Sequence, residues 1–509
     1  MTEAYRPPAG SIPTLDVPNL GAWKRLHLVG AGGAGMSGIA RLLLARGFSV
    51  SGSDLKDSRA LQGLGDVGAE VFVGHRASQI ADDQDAVVVS SAIPTDNPEI
   101  RRAREAGIPV ITRAQVLAAL MRGFRAVAVA GTHGKTTTTS MISILLARAG
   151  LDPTYVIGGD LNESGSGAGH GTGDVFAAEA DESDGSFLLL EPEIAVITNV
   201  EVDHIEFYGD RPQLEAAFGL FARRARTVVA CRDDPGARRV LDRLVPGSPR
   251  IVWYGFSSDA DVVVRDVSLE DPAGARATLS AGGASIPLAL RVPGRHNLLN
   301  AAAAVAVAVE LGVEVDAATR ALGEFTGVRR RFERRGSAGG AEFVDDYAHH
   351  PTEVVATLEA ARAVLGLRSL GRVERNGERP AGEDRPGRLV AVFQPHRYTR
   401  TQTMWRELGE SLAGADLAVL TDVYPAGEPP IPGVTGKLVV EALTEAAPGK
   451  RVVYLPRRWE VAPFLAREVR AGDLVMTLGA GDITMVGDET LQRIQESPGG
   501  RAGQTERKE

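Results

Sequence analysis

The stretch from Val127 to Ser140 restricts most sharply what this 509-residue chain can fold into. It reads as a short apolar strand, a glycine loop Gly131-Thr132-His133-Gly134, and then Lys135, Thr136 and Thr137 opening a helix rich in hydroxyls. Consecutive backbone N–H groups in such a loop, with the positive end of the next helix, cradle phosphate oxygens, and a lysine there neutralises the terminal phosphate. A threonine directly after the lysine suits the metal that accompanies a nucleotide triphosphate. Only Thr132 and His133 separate the two glycines, fewer than in the standard phosphate loop, so ordinary kinases and GTPases are poor matches. A strand feeding a glycine turn and a helix belongs in an open α/β sheet.

The length exceeds what one core organises and predicts roughly three domains. A formal charge of -9 offers no basic footprint, so nucleic acid is not an expected partner and a triphosphate must be held by local cations. Cys231 is the only cysteine, which rules out an intrachain disulfide, suits a reducing compartment and reads as a small buried apolar residue. No charged-then-apolar leader opens the chain, and the apolar run Ala301 to Val309 is too short to span a bilayer. The expectation is a cytoplasmic protein without membrane insertion.

The boundaries predicted are a flexible tail over residues 1–20, an α/β domain over 21–122, a central domain over 123–326, a third α/β domain over 327–496 and a disordered tail over 497–509. The first begins with Leu26 to Val29, the turn Gly30-Ala31-Gly32-Gly33-Ala34-Gly35, a helix from Met36 to Arg46 and a strand at Phe48 to Ser51, one βαβ unit. Strands near 175–177, 194–198, 228–230 and 251–254 alternate with helical segments and predict a central parallel sheet. Residues 261–292 read as a small antiparallel patch. Strands near 343, 389–393, 417–420, 452–455 and 474–478 make the third domain another nucleotide-type fold. Arg368 to Arg388, nearly devoid of apolar residues, reads as a flexible surface insertion.

Gly30, Gly32 and Gly35 match the dinucleotide fingerprint, with Asp54 spaced to meet a ribose hydroxyl. A hydride-transfer enzyme has no use for a separate triphosphate loop, and nucleotide sugars also carry a diphosphate for such a turn to bind. Glu179 and Asp203-His204 follow strands of the central sheet, where ligands of parallel sheets bind. Glu179, His204 and Thr136 form a candidate divalent-metal set, with Asp181, Glu182 and Asp184 as substitutes in the same loop. Asn297 and Asn300 either cap the alanine-rich helix that follows or offer amides to an adenine edge. Arg329-Arg330-Arg331-Phe332 suits a phosphate fork, Asp345-Asp346 a ribose, and Arg397 with Arg400, beyond a strand, a carboxylate clamp.

Together these motifs resemble the Mur ligase family. They are Gly30-Ala-Gly-Gly-Ala-Gly-Met-Ser37, Gly131-Thr-His-Gly-Lys-Thr136, Glu179-Ala-Asp-Glu-Ser-Asp184, Gly294-Arg-His-Asn-Leu-Leu-Asn300, Arg330-Arg-Phe332 and Asp345-Asp-Tyr-Ala-His-His-Pro351. The resemblance covers Arg25 to Asp488 and implies three domains: an N-terminal Rossmann-like domain for a UDP-sugar, a central P-loop ATPase-like domain, and a C-terminal Rossmann-like domain for the amino acid and part of the nucleotide. It implies ATP-dependent joining of L-alanine to the lactyl carboxylate of UDP-N-acetylmuramate through an acyl phosphate, in peptidoglycan precursor synthesis. The residues it implies for ATP are Gly131, Thr132, His133, Gly134, Lys135, Thr136, Thr137, Asn297, Asn300, Arg331 and Asp346, with Arg330 and Asp345 as adjacent rivals. For the UDP-sugar they are Gly30, Gly32, Gly33, Gly35, Met36, Ser37, Asp54, His75, Ser90 and Ser91. Lys135, His204, His349, Arg397 and Arg400 would carry the chemistry, and Thr136, Glu179 and His204 the metal, magnesium with manganese as the alternative. Several sister ligases use a carbamylated lysine, but no lysine lies between Lys135 and Lys437, so that feature is not carried over. A peptide-adding relative, an ATP-hydrolysing binding switch and a dehydrogenase are the rival readings, and self-association stays open.

Overall fold

Near-continuous apolar runs such as Thr227–Cys231, Leu389–Phe393 and Leu474–Leu478 are buried at every position, as strands covered by helices on both faces must be. In this computed structural model, which describes residues 16–90, 92–244, 249–269, 274–376 and 387–496, they belong to three sheets. The fold is α/β, as expected. It divides into two compact units, Met1–Arg265 with Thr278–Leu288 and Leu299–Phe325, and Asp266–Ala277 with Ala289–Leu298 and Thr326–Glu509.

The first sheet is parallel and runs Glu70–Val73, Ser49–Asp54, Arg25–Val29, Ala86–Val89, Val110–Thr112. Strand order reverses between Arg25–Val29 and Ala86–Val89, which places a ligand crevice outside their carboxyl ends. Two caps fix residues that matter below. Asn97 caps the helix Pro98–Glu105 through the Glu99 and Ile100 amides, and a Thr112–Gln115 capping box starts the helix Arg113–Met121.

In the ten-stranded second sheet, Arg125–Ala130 lies between Ile194–Ile197 and Val175–Glu179, all parallel, so the glycine loop leaves the sheet between two strand ends. The pair Thr154–Val156 and Ala168–Gly169 adds an antiparallel edge that the sequence reading missed. Val262–Ser268 joins parallel to Arg250–Gly255, so the predicted antiparallel patch does not include that junction. The third sheet runs Glu333–Ala338, Ala341–Asp346, Leu474–Leu478, Leu389–Phe393, Leu417–Leu420, Arg451–Tyr454, with only the first pair antiparallel.

Two expectations need correction. Residues 16–20 are not a loose tail, because Leu20 is buried, Val17 packs on the core and the Asp16 carbonyl accepts a 2.8 Å bond from Gln115 Nε2. The supposed insertion is helical as far as Asn376, and Arg388 is an anchor, donating to Glu468 and, at 2.7 Å, to Asp473. Residues 1–15, 377–386 and 497–509, which complete the two tails and the insertion, lie outside the described residues. Cys231 is a core residue whose thiol is pushed up to about 12 by burial.

Candidate active site

Glycine is obligatory at both ends of the phosphate loop: φ is +138° at Gly131 and +79° at Gly134, and a Cβ on Gly131 would lie 2.0 Å from Thr198 Oγ1. The segment after Ile194–Ile197 staples the loop. Thr198 Oγ1 donates to the His133 carbonyl at 2.6 Å, Asn199 Nδ2 donates to the same oxygen at 3.0 Å, and the His133 N–H donates to Asn199 Oδ1 at 2.8 Å. Thr132 is tied to the Glu201 backbone, and His133 Nε2 lies 3.5 Å from the Glu201 carboxylate. Thr136 and Thr137 are buried in the first turn of the helix Lys135–Arg148. Further along, Thr139, Ser140 and Ser143 bond carbonyls one turn back, which satisfies hydroxyls that burial would otherwise penalise.

Lys135 Nζ donates to the Gly131 carbonyl at 2.5 Å, to the Thr132 carbonyl at 3.2 Å and to Glu182 Oε1 at 2.8 Å. Burial pulls the ammonium down, but Glu182, Glu179 and Asp181 outweigh it and hold it above its usual value. Of the three acids left open by the sequence, Glu182 therefore pairs with the lysine; its other oxygen, Oε2, is buried with no hydrogen-bond partner. Glu179 ends its strand and accepts a 2.8 Å bond from the Gly158 N–H. Asp181 lies 3.4 Å from Arg113, and although burial opposes it, Arg113 and Lys135 hold its carboxyl below the usual range. His204, at φ +53°, lies 3.5 Å from both Asp203 and Glu206 and acts electrostatically on Glu182.

Asn300 Oδ1 accepts a 3.1 Å bond from Thr138 and abuts Gly134, so this amide braces the loop. Asn297 Nδ2 donates to the Pro293 carbonyl at 2.7 Å.

At the first glycine turn, Gly30 has φ +82°, and the Gly30 and Ala31 amides donate to the Ser53 carbonyl at 2.8 and 2.9 Å. Asp54 Oδ2 accepts from the Gly32 N–H at 3.0 Å, so the carboxylate predicted for a ribose also holds the turn itself. Gly33 caps the helix Ala34–Ala45, and Ser37 bonds back to its carbonyl. The Met36 side chain, 2% exposed, belongs to the core, which leaves only its backbone for a ligand. Gly35 faces Arg113, whose Nη1 lies 2.8 Å from where a Cβ would stand. Ser90 Oγ lies 4.0 Å from the corresponding position on Gly30, His75 Nδ1 lies 2.9 Å from Ser53 Oγ, and Ser91 falls outside the described residues.

In the second unit the rival pairs separate. Arg330 donates to the Gly479 and Gly481 carbonyls at 2.8 and 3.3 Å, and fully buried Asp345 accepts from Thr477 and Thr484 at 2.5 and 2.7 Å, so both are internal braces. Asp346 accepts from the Phe332 and Ala348 amides, and burial pushes it up to about 6 against the pull of Arg331. Arg331 lies 3.5 Å from Glu353 and 5.1 Å from the Tyr347 ring centroid. His349, His396 and Arg400 come together: the two rings are 5.5 Å apart and Arg400 Nη1 is 3.4 Å from His396 Nδ1. Burial, then Arg400, holds His349 well below its ordinary value. Arg397, at φ +68°, starts the helix Tyr398–Ser411. His204, Arg330, Phe332 and Arg397 all hold left-handed backbone that non-glycine residues avoid, and such strain concentrates at working sites.

The sequence reading missed Thr198, Asn199 and Arg113. Thr198 ends a predicted strand and Asn199 follows it, so both were open to the strand-end argument used for His204. Arg113 carries no local signal, since its partners Gly35 and Asp181 are remote in sequence.

Residues 25–125 match the Mur ligase family catalytic domain, residues 129–308 the Mur ligase middle domain, and residues 330–373 and 379–481 the Mur ligase glutamate ligase domain. A UDP-N-acetylmuramate–L-alanine ligase of Saccharopolyspora erythraea is 47% identical over 483 residues, 94% of each chain, and one of Streptomyces avermitilis is 45% identical over 93% of this chain and 98% of its own. The solved UDP-N-acetylmuramate-alanine ligase of Thermotoga maritima superposes with a TM-score of 0.75 at 30% identity, covering 92% of this chain and 99% of that one. A murein peptide ligase of Psychrobacter arcticus shares the fold, with a TM-score of 0.69 at 23% identity over 93% of this chain and 99% of its own. With its three domain matches in order along residues 25–481, this chain belongs to the Mur ligase family.

Proposed function

We propose that this chain is the ATP-dependent ligase that joins L-alanine to the lactyl carboxylate of UDP-N-acetylmuramate, a step of peptidoglycan precursor synthesis, working in the cytoplasm. The observation that carries the proposal is Lys135, held among Glu179, Asp181 and Glu182 at the mouth of a glycine loop that leaves a parallel sheet. A carboxylate resists attack by an amine because oxide would have to leave. Its oxygen therefore attacks the terminal phosphorus of ATP, ADP departs, and the acyl phosphate formed has a good leaving group. The alanine nitrogen then attacks the carbonyl carbon and expels phosphate.

In this reading Lys135 moves from Glu182 to the transferring phosphoryl group and neutralises its charge. The turn at Gly30 to Gly35 receives the diphosphate on the amides that open the helix Ala34–Ala45. Asn297, Arg331 and Asp346 serve the nucleotide, with Asn300 holding the loop. Arg397 and Arg400 suit the alanine carboxylate, and an unprotonated His349 suits a hydrogen bond from its amine. A division at residues 122 and 326 into UDP-sugar, ATP and amino-acid domains belongs to the same proposal. A hard divalent cation such as magnesium fits here: the unpartnered Glu182 Oε2, Glu179 and the Thr136 hydroxyl are oxygen donors beside the loop, with His204 adjacent. When bound, the ion would shield phosphate charge.

The peptide-adding reading is second, and the alanine-specific relatives favour the first, at 45–47% identity against 23% for the peptide ligase structure. Phosphate release from ATP, magnesium and UDP-N-acetylmuramate, measured with each amino acid in turn, tests it. Release that depends on L-alanine is expected; release without any amino acid, or only with a peptide, refutes it.

A further inference from the structure

Glu99 is completely buried in the first sheet's helical layer, yet it is a carboxylate, and an ionised carboxylate in such a place requires several donors. Two converge on one of its oxygens: Ser53 Oγ donates to Glu99 Oε2 at 2.7 Å, and His75 Nδ1 lies 3.0 Å from the same oxygen. His27 Nε2 stands 3.3 Å from Oε1, within ion-pair distance but not hydrogen-bonded to it. His27 Nδ1 is itself 2.8 Å from Ser51 Oγ. With Glu99 ionised, Oε2 accepts from Ser53 Oγ and from a proton on His75 Nδ1.

This cluster connects to the glycine turn by two routes. The carbonyl of Ser53, whose hydroxyl Glu99 grips, accepts the Gly30 and Ala31 amides. His75 follows the strand Glu70–Val73 at the carboxyl end of the sheet, where the crevice lies, and with Nδ1 engaged only its Nε2 remains for a ligand. We propose that Glu99 is a positioning residue for the nucleotide sugar: through Ser53 it sets the turn that takes the diphosphate, and through Nδ1 of His75 it fixes the tautomer that presents an acceptor nitrogen to an N–H or O–H donor of the uridine. The inference rests on the reading of Gly30 to Gly35 as the diphosphate turn. The imide N–H of uracil and the ribose hydroxyls share this donor chemistry.

Glu99→Gln keeps the shape but replaces the charged acceptor shared by Ser53 and His75 with a neutral amide oxygen, and takes a negative charge away from His27. UDP binding by the full-length protein should weaken about tenfold, the factor that ~1.4 kcal/mol of lost hydrogen bonding represents. ATP affinity and kcat should stay within twofold, so that the change falls on the KM for the nucleotide sugar. Imidazole ¹⁵N NMR of the wild-type chain should show His75 protonated on Nδ1, with Nε2 shifting when UDP saturates the protein; 3-methyl-UDP should lose that shift if the imide is the donor and keep it if the ribose is. Wild-type UDP affinity in Glu99→Gln, an equal loss of ATP affinity, an Nε2-protonated His75, or an Nε2 signal unmoved by UDP would each overturn the proposal. A Gly33→Asp control separates it from the underlying reading: if that variant binds UDP normally, the diphosphate turn is misassigned and both fall, whereas if it binds poorly while Glu99→Gln binds well, only the role of Glu99 falls.

Discussion

Replacing Gly131 by alanine tests the link between loop geometry and nucleotide binding. The new methyl would lie 2.0 Å from Thr198 Oγ1 and 3.1 Å from the backbone N and O of Asn199, on a residue at φ +138°. Holding a side chain in that backbone region costs ~1–3 kcal/mol. Overpacking a filled site adds ~1–3 kcal/mol. Thr198 cannot step aside freely, because its 2.6 Å bond to the His133 carbonyl would go with it, a further ~1 kcal/mol. Even the low end of this range, ~3 kcal/mol, corresponds to about a hundredfold loss of ATP affinity if the strain is relieved only by leaving the binding conformation. Thr198→Ala alone should lose about fivefold, and the double variant should be less impaired than the product of the singles, because removing the hydroxyl removes the overlap. Titration calorimetry with ATP, with circular dichroism to confirm the folded fraction, measures all four corners. An ATP affinity within twofold of wild type for Gly131→Ala, or a strictly additive cycle, would refute the reasoning.

Lys135→Ala should lower turnover at least ~10²–10³-fold while the folded fraction is kept, since it removes the cation proposed to meet the transferring phosphoryl group; steady-state kinetics beside circular dichroism decide this. The carboxyl of Asp346, pushed up to about 6 by burial, should give kcat/KM an acid limb near that pH, absent in Asp346→Asn if ionisation is what the limb reports. The same group loses stability as pH rises from 3.8 to about 6, whereas His296, lowered by burial from 6.5 to about 4, loses stability as pH falls through that window. The two offset in the wild type, so urea unfolding of Asp346→Asn should show a steeper acid loss, up to about 3 kcal/mol, since each tenfold change in proton affinity between the folded and unfolded chain is worth ~1.4 kcal/mol. Arg388→Met should lower the melting temperature through ~1–3 kcal/mol of lost charged hydrogen bonds to Glu468 and nearly buried Asp473; an unchanged melting curve would restore the view of this residue as part of a free insertion.

What could be read from the sequence was what is local in it. The strand–loop–helix around Lys135, the strands Ala86–Val89, Leu389–Phe393, Leu417–Leu420 and Leu474–Leu478, and the placement of Glu179 at a strand end follow from apolar runs and glycine chemistry within a few residues. The short, polar strand Glu333–Ala338 has no apolar alternation to betray it, because one of its edges is open and half its residues face solvent. A spacing rule sees neither the Gly32 amide that Asp54 accepts nor the core that the Met36 side chain fills. Arg330 and Arg331 are indistinguishable as letters; only the carbonyls of Gly479 and Gly481, nearly 150 residues on, make one of them a brace. Glu99 reads as an ordinary helix-start acid until His27, His75 and Ser53 are seen to surround it.

The acyl phosphate is the step on which the proposed mechanism turns, and oxygen tracing tests it most directly. With UDP-N-acetylmuramate carrying ¹⁸O in both oxygens of its lactyl carboxylate, ATP, magnesium and L-alanine, the phosphate released should contain one ¹⁸O atom per turnover by mass spectrometry. Phosphate free of label, alongside normal formation of the amide, would contradict the mechanism.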